Sequence, residues 1–177
     1  MRTRDTQRSK LYAWEATVPE GERLSLDACR ELVHAAYEAY GLSARPMIRD
    51  GRGTTVARGD TTWVNLPVWA RCQRTVLHEA AHGVTILLSP GSAWHGPEFT
   101  AVLINLWERF KLGHGPDLRR SARTAKLKVS QAPACKASSR TATKRLAAAV
   151  ARRNALWQQL REAEAELVAA HAAVRGG

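Results

Sequence analysis

The clearest chemistry in the chain lies in His78-Glu79-Ala80-Ala81-His82. On an α-helix, side chains four positions apart lie one turn apart on one face, so two imidazoles can reach one metal ion. Glu79, beside the first histidine, can act as general base toward water held in the metal's open position. Zinc suits such a pair because it binds imidazole nitrogens well and lowers the pKa of its water to roughly 7. A third protein ligand is then needed, with the fourth position left to water and substrate. Along this helix Arg71, Thr75, His78, His82, Thr85 and Ser89 form one polar stripe. Val76, Ala80, Val84 and Leu87 form an apolar stripe on another face. Both histidines are therefore expected to face a polar surface or cleft.

The surrounding elements must hold that helix in place. Residues 25–40 read as a helix that Ser25 caps and Gly41 stops, with Leu32, Ala35, Ala36 and Ala39 at helical spacing. Three strand-like runs follow at 45–49, 54–58 and 61–66, and gaps this short favour an antiparallel meander. The active helix is expected over 67–88, where Ser89-Pro90-Gly91 breaks it. Gly96-Pro97 opens a further helix running to about residue 112. This order gives an α+β domain over residues 1–116.

Past the Ser-Pro-Gly turn stands His95-Gly96-Pro97-Glu98-Phe99. The motif HExxH, then a loop of about a dozen residues, then HGPEF resembles the SprT-like (Spartan-like) zinc metalloproteases. The stretch RGDTTWVNLPVWARCQRTVLHEAAHG is similar to that family's strand and active helix. The start, RDTQRSKLYAWEA, resembles a small group of actinobacterial and phage metallohydrolases sharing this core. The resemblance covers roughly residues 4–112. It implies a zincin-like minimal core, one Zn2+ per chain on His78, His82 and His95, and Glu79 as catalytic acid/base. It also implies a peptide or protein substrate among DNA-associated proteins, DNA–protein crosslinks included, in a bacterial or phage-infected cytoplasm. Glu98 matches the motif and also suits a helix N-terminus as an acid. Trp94, just before His95, is expected to line the cleft. Many SprT-like proteins carry a four-Cys zinc ribbon, which three cysteines cannot build.

The chain has 177 residues and a net charge of +11, unevenly spread. Residues 1–116 hold 14 Lys/Arg against 12 Asp/Glu, whereas 117–153 hold 11 against one. The basic side chains there are Arg119, Arg120, Arg123, Lys126, Lys128, Lys136, Arg140, Lys144, Arg145, Arg152 and Arg153. Such a run can follow a phosphate backbone, so DNA is the expected partner of this region. Residues 117–140 read as a mobile basic linker and 141–177 as an Ala-rich helix. Leu156, Leu160, Ala163, Leu167, Ala170 and Val174 alternate at spacings of four and three. That seam allows self-association through 141–174, or a helix docked on its own domain.

The remaining residues invite blander readings. His34 reads as packed, His114 lies in a Gly-rich helix exit and His171 belongs to the Ala-rich helix. Trp63, Trp69 and Trp107 read as core. Cys72 reads as a buried thiol and Cys135 as an exposed one. No CxxC occurs, which suits a reducing cytoplasm. The longest strongly apolar run, residues 84–88, is far too short to span a bilayer, so no membrane partner is expected. The rival to the peptidase is a nucleic-acid-binding or oligomerising protein whose metal site is structural or degenerate; an intact Glu79 argues against it.

Overall fold

A computed structural model describes residues 4–131 and scattered helical positions between 148 and 166. The chain is α+β. Helix α1 (Arg8–Glu15) precedes α2 (Leu26–Ala39), and the strands β1 (Met47–Asp50), β2 (Arg58–Gly59) and β3 (Trp63–Leu66) follow. A 3-10 turn (Val68–Ala70) then leads into α3 (Gln73–Leu88), α4 (Pro97–Arg109) and α5 (Gly115–Thr124).

α2 begins as its sequence dictates: the Ser25 side chain accepts a hydrogen bond from the Ala28 amide, and Asp27 sits in the first turn. α3 starts later than its periodicity suggests. Pro67 opens the 3-10 turn instead, and Cys72 becomes the residue that precedes the helix. The apolar stripe of α3 is buried at Val76, Ala80 and Val84, but Leu87 is exposed. Pro97 takes the first turn of α4, after Gly96.

The sheet is not the expected antiparallel meander. Its order is β1-β3-β2, with β1 parallel to β3 and β2 antiparallel to it. The chain turns at Asp50, whose carboxylate accepts from the Arg52 amide, and crosses to the far edge before pairing back. Burial explains which strand is central. Val64 and Leu66 of β3 both point inward and are fully buried, whereas β1 contributes only Ile48 to the core. The strand with the most apolar surface to hide takes the middle.

α3 touches α2, α4, β2 and β3 and so forms the hub of the fold. Trp107, Tyr37, Phe99 and Leu11 are the largest fully buried side chains among the described residues. Two glycines permit the close approach. A Cβ on Gly59 of β2 would overlap the Glu79 carbonyl oxygen, and one on Gly83 would overlap the Tyr37 hydroxyl.

The folded part runs past residue 116, so the expected linker begins too early. In α5 and after it, Leu118, Ala122 and Leu127 join the hydrophobic core. Trp14 donates its indole N–H to Ser121 at 2.9 Å, and the Lys128 amide donates to the Gln7 side chain at 2.9 Å. These contacts also fix α1, which has no counterpart among the sequence expectations. In the Ala-rich region every described position is helical and exposed, Leu156 and Leu160 included. Leu167, Ala170 and Val174 lie outside the described residues. Among the described residues no helix is long and apolar enough to cross a membrane.

Candidate metal centre

α3 presents His78 and His82 on one face, and the turn into α4 brings His95 to meet them. One nitrogen from each ring lies within 4.8 Å of the others. His78 Nε2 and His82 Nε2 stand 3.2 Å apart. Two nitrogens sharing a tetrahedral ion at ~2.05 Å would stand ~3.3 Å apart, so this donor set fits a metal ion. Phe99 of α4 forms the floor, its ring stacked on His82 at 4.5 Å and edge-on to His78 and His95. The Trp94 ring meets His82 edge-on at 5.1 Å.

Only the middle of the polar stripe is buried; Arg71, Thr75 and Ser89 are half-buried, and Thr75 and His78 line a cavity. His78, Glu79, His82, Thr85 and His95 are all buried, and α1 with the segment before it covers His78 and His95. That N-terminal segment supplies partners which the motif alone did not reveal. Glu15 bonds His78 Nδ1 at 2.6 Å, and Asp5 bonds His95 Nδ1 at 2.7 Å. Each carboxylate takes the outer nitrogen and leaves Nε2 turned toward the shared point. Tyr12 stacks on His78 at 5.7 Å, and its hydroxyl lies 3.4 Å from His95 Nε2. The only signal in the sequence is the i, i+3 spacing of Tyr12 and Glu15 on a short helix, with no fixed separation from the histidines.

Electrostatics follow from this burial. For His78, desolvation opposes a charge, but the Glu15 carboxylate prevails and holds the imidazole above its ordinary pKa. His95 is lowered, since its desolvation outweighs Asp5. Burial pushes the Glu79 carboxyl above the usual range and Glu15 adds to this; His78, the Gly59 amide and Arg58 pull the other way. A raised carboxyl is better matched to exchanging protons near neutrality. Glu79, His78, Tyr12 and Glu15 share the wall of a cavity of about 310 Å³, bounded also by Val56 and Trp69.

Other expected residues lie elsewhere. Glu98 sits in the first turn of α4, where an acid suits the helix end. His34 bonds the Pro46 carbonyl, and exposed His114 faces Asp117 at 3.1 Å. His171 lies outside the described residues. Trp107 is fully buried as expected, but Trp69 is exposed, and half-buried Trp63 lies under Arg49 at 4.9 Å. Cys29 and Cys72 are buried free thiols, and burial pushes Cys29 up to about 12.

Of the basic candidates, Arg120, Arg123, Lys126 and Lys128 are exposed on α5 and the chain after it. Half-buried Arg119 donates to the Asn105 side chain, and Arg152 is exposed and helical. Lys136, Arg140, Lys144, Arg145 and Arg153 lie outside the described residues. No protein-family model, curated protein or solved structure matches the chain.

Proposed function

We propose that the chain is a zinc-dependent metallopeptidase of the SprT-like type, built on a zincin-like core and acting in the cytoplasm on DNA-associated proteins. One observation carries this reading: His78, His82 and His95 converge while Glu79 lines an accessible cavity beside them. A closed structural site takes four protein ligands. Among the described residues this cluster has three, and the acid next to it would serve no purpose in a closed site.

His78, His82 and His95 would hold the ion, which when bound supplies Lewis acidity toward a peptide carbonyl and toward water. Glu79 takes the proton from the attacking water and returns it to the departing amine. Tyr12, in the same cavity, donates its hydroxyl to the oxygen that gains charge as the carbonyl carbon becomes tetrahedral. Glu15 and Asp5 keep two imidazoles in the required tautomer. A substrate chain would pair with the edge strand β2, which lies against Glu79, because β3 is central and has no free edge. The basic residues from Arg119 onward would keep this domain close to proteins on DNA.

Metal analysis and turnover test the proposal together. The purified protein should carry about one zinc per chain, which His78→Ala, His82→Ala and His95→Ala lose and His114→Ala keeps. Glu79→Gln should keep zinc but lose on the order of 10²–10⁴ in peptide hydrolysis. Undiminished turnover by Glu79→Gln would end the peptidase reading.

A further inference from the structure

A second cavity, of about 790 Å³, adjoins the one that holds Glu79. Trp69 lines both. The chain also walls them in succession: residues 52–54 border the larger cavity and residues 55–57 the catalytic one. The two cavities meet at Trp69, and we read them as one continuous groove. In the larger half Pro67, Val68 and Trp69 give an apolar floor, and Arg23, Arg52 and Arg71 stand around it. Among the described residues no acidic side chain lines it.

The nearby carboxylates leave the arginines short of negative charge. Asp50 alone serves both Arg52 at 2.8 Å and Arg71 at 2.5 Å. Arg23 is spent partly on the Trp69 carbonyl at 2.7 Å and reaches Glu20 only at 3.5 Å. Apolar side chains are left in water along the same groove: Val56 is 63% exposed, Val68 59% and Trp69 53%. Large exposed apolar groups beside a catalytic cavity mark a contact surface.

Resting on the peptidase reading above, we propose that the larger half of the groove is a substrate subsite for an acidic residue of the polypeptide being cut. The methylenes of a glutamate lie on Val68 and Trp69, and its carboxylate lies among Arg52, Arg71 and Arg23. A lysine at the same place meets three guanidinium groups, and the Asp50 carboxylate among them is already shared by two, so the site selects by repulsion as well as attraction.

The test uses zinc-loaded full-length protein and a set of quenched fluorescent peptides carrying Glu, Gln or Lys at each position flanking the scissile bond. At one position, on one side of that bond, Glu should exceed Lys about ten-fold in kcat/KM, mainly through KM. Arg52→Glu should reverse the order while zinc content and the unfolding midpoint stay at wild-type values. Fluorescence anisotropy of the same sequences, labelled without the quencher, on Glu79→Gln should repeat the order without cleavage. If the wild type cut none of the peptides, the peptidase reading would fall, and the anisotropy order would still decide the subsite. Equal use of Glu and Lys, or a preference that Arg52→Glu leaves unchanged, overturns the subsite. So does a DNA duplex that displaces the acidic peptide and loses its own binding in Arg52→Glu, which would make the pocket a phosphate site.

Discussion

At the scale of single residues, Glu15 and Asp5 do for His78 and His95 what the HExxH spacing cannot. A helix brings imidazoles to one face, but it does not choose which ring nitrogen points inward. A carboxylate on Nδ1 makes that choice and raises the basicity of Nε2. Glu15→Gln and Asp5→Asn should each weaken zinc binding by roughly 10–100-fold in competition with a chelator, with the circular dichroism spectrum unchanged. Equal affinity to wild type would reduce both residues to packing. Tyr12→Phe keeps the ring that stacks on His78 but deletes the donor. It should lower kcat by roughly 10²–10³, with KM and zinc content unchanged, if the hydroxyl serves the charged oxygen. A loss of zinc instead would make Tyr12 a positioning group for His95.

At the scale of elements, the site depends on three approaches to α3: α1 through Glu15, β2 over Glu79, and α4 with the turn before it through Phe99 and His95. Gly83 belongs to this geometry, although it looks like a mere helix defect in sequence. Its missing side chain admits the Tyr37 hydroxyl, which bonds the Asp60 carbonyl at 3.1 Å and so ties α2 to the turn between β2 and β3. Gly83→Ala improves helix propensity by about 1 kcal/mol. Even so, it should destabilise the protein by roughly 1–3 kcal/mol, because the Tyr37 ring has to move out of a packed position. Urea denaturation of the metal-free protein reads this directly. A more stable Gly83→Ala would show that the contact relaxes freely.

At the scale of the whole molecule, the boundary of the folded unit lies further along the chain than its charge distribution suggests. The break at residue 116 marks where cations begin, yet Leu118, Ala122 and Leu127 still belong to the core. A chain cut after residue 131 should unfold cooperatively and bind zinc like the full protein. One cut after residue 116 should lose several kcal/mol, since three buried apolar side chains and the Trp14–Ser121 bond go with it. Thermal unfolding of the two truncations separates these outcomes; equal midpoints would restore the earlier boundary. The 131-residue form is also the proper control for the tail. It keeps Arg119, Arg120, Arg123, Lys126 and Lys128, so a drop in its DNA affinity and salt slope relative to the full chain belongs to residues 132–177 alone.

The sequence alone determined what is local. The Ser25 cap, the helical period of α2 and α3, the Gly-Pro start of α4 and the i, i+4 histidine pair each depend on neighbours a turn away. Each is present in the structure. The tertiary structure decided everything that depends on long closures. Glu15 is 63 positions from His78, and Asp5 is 90 from His95. No periodicity spans such distances, and α1 is short enough that packing, not propensity, holds it in place. The strand order was hidden for the same reason: turn lengths favour pairing neighbours, while burial of Val64 and Leu66 puts β3 in the middle. Packing likewise buried the middle of α3's polar stripe, where α1 brings the Glu15 carboxylate to His78.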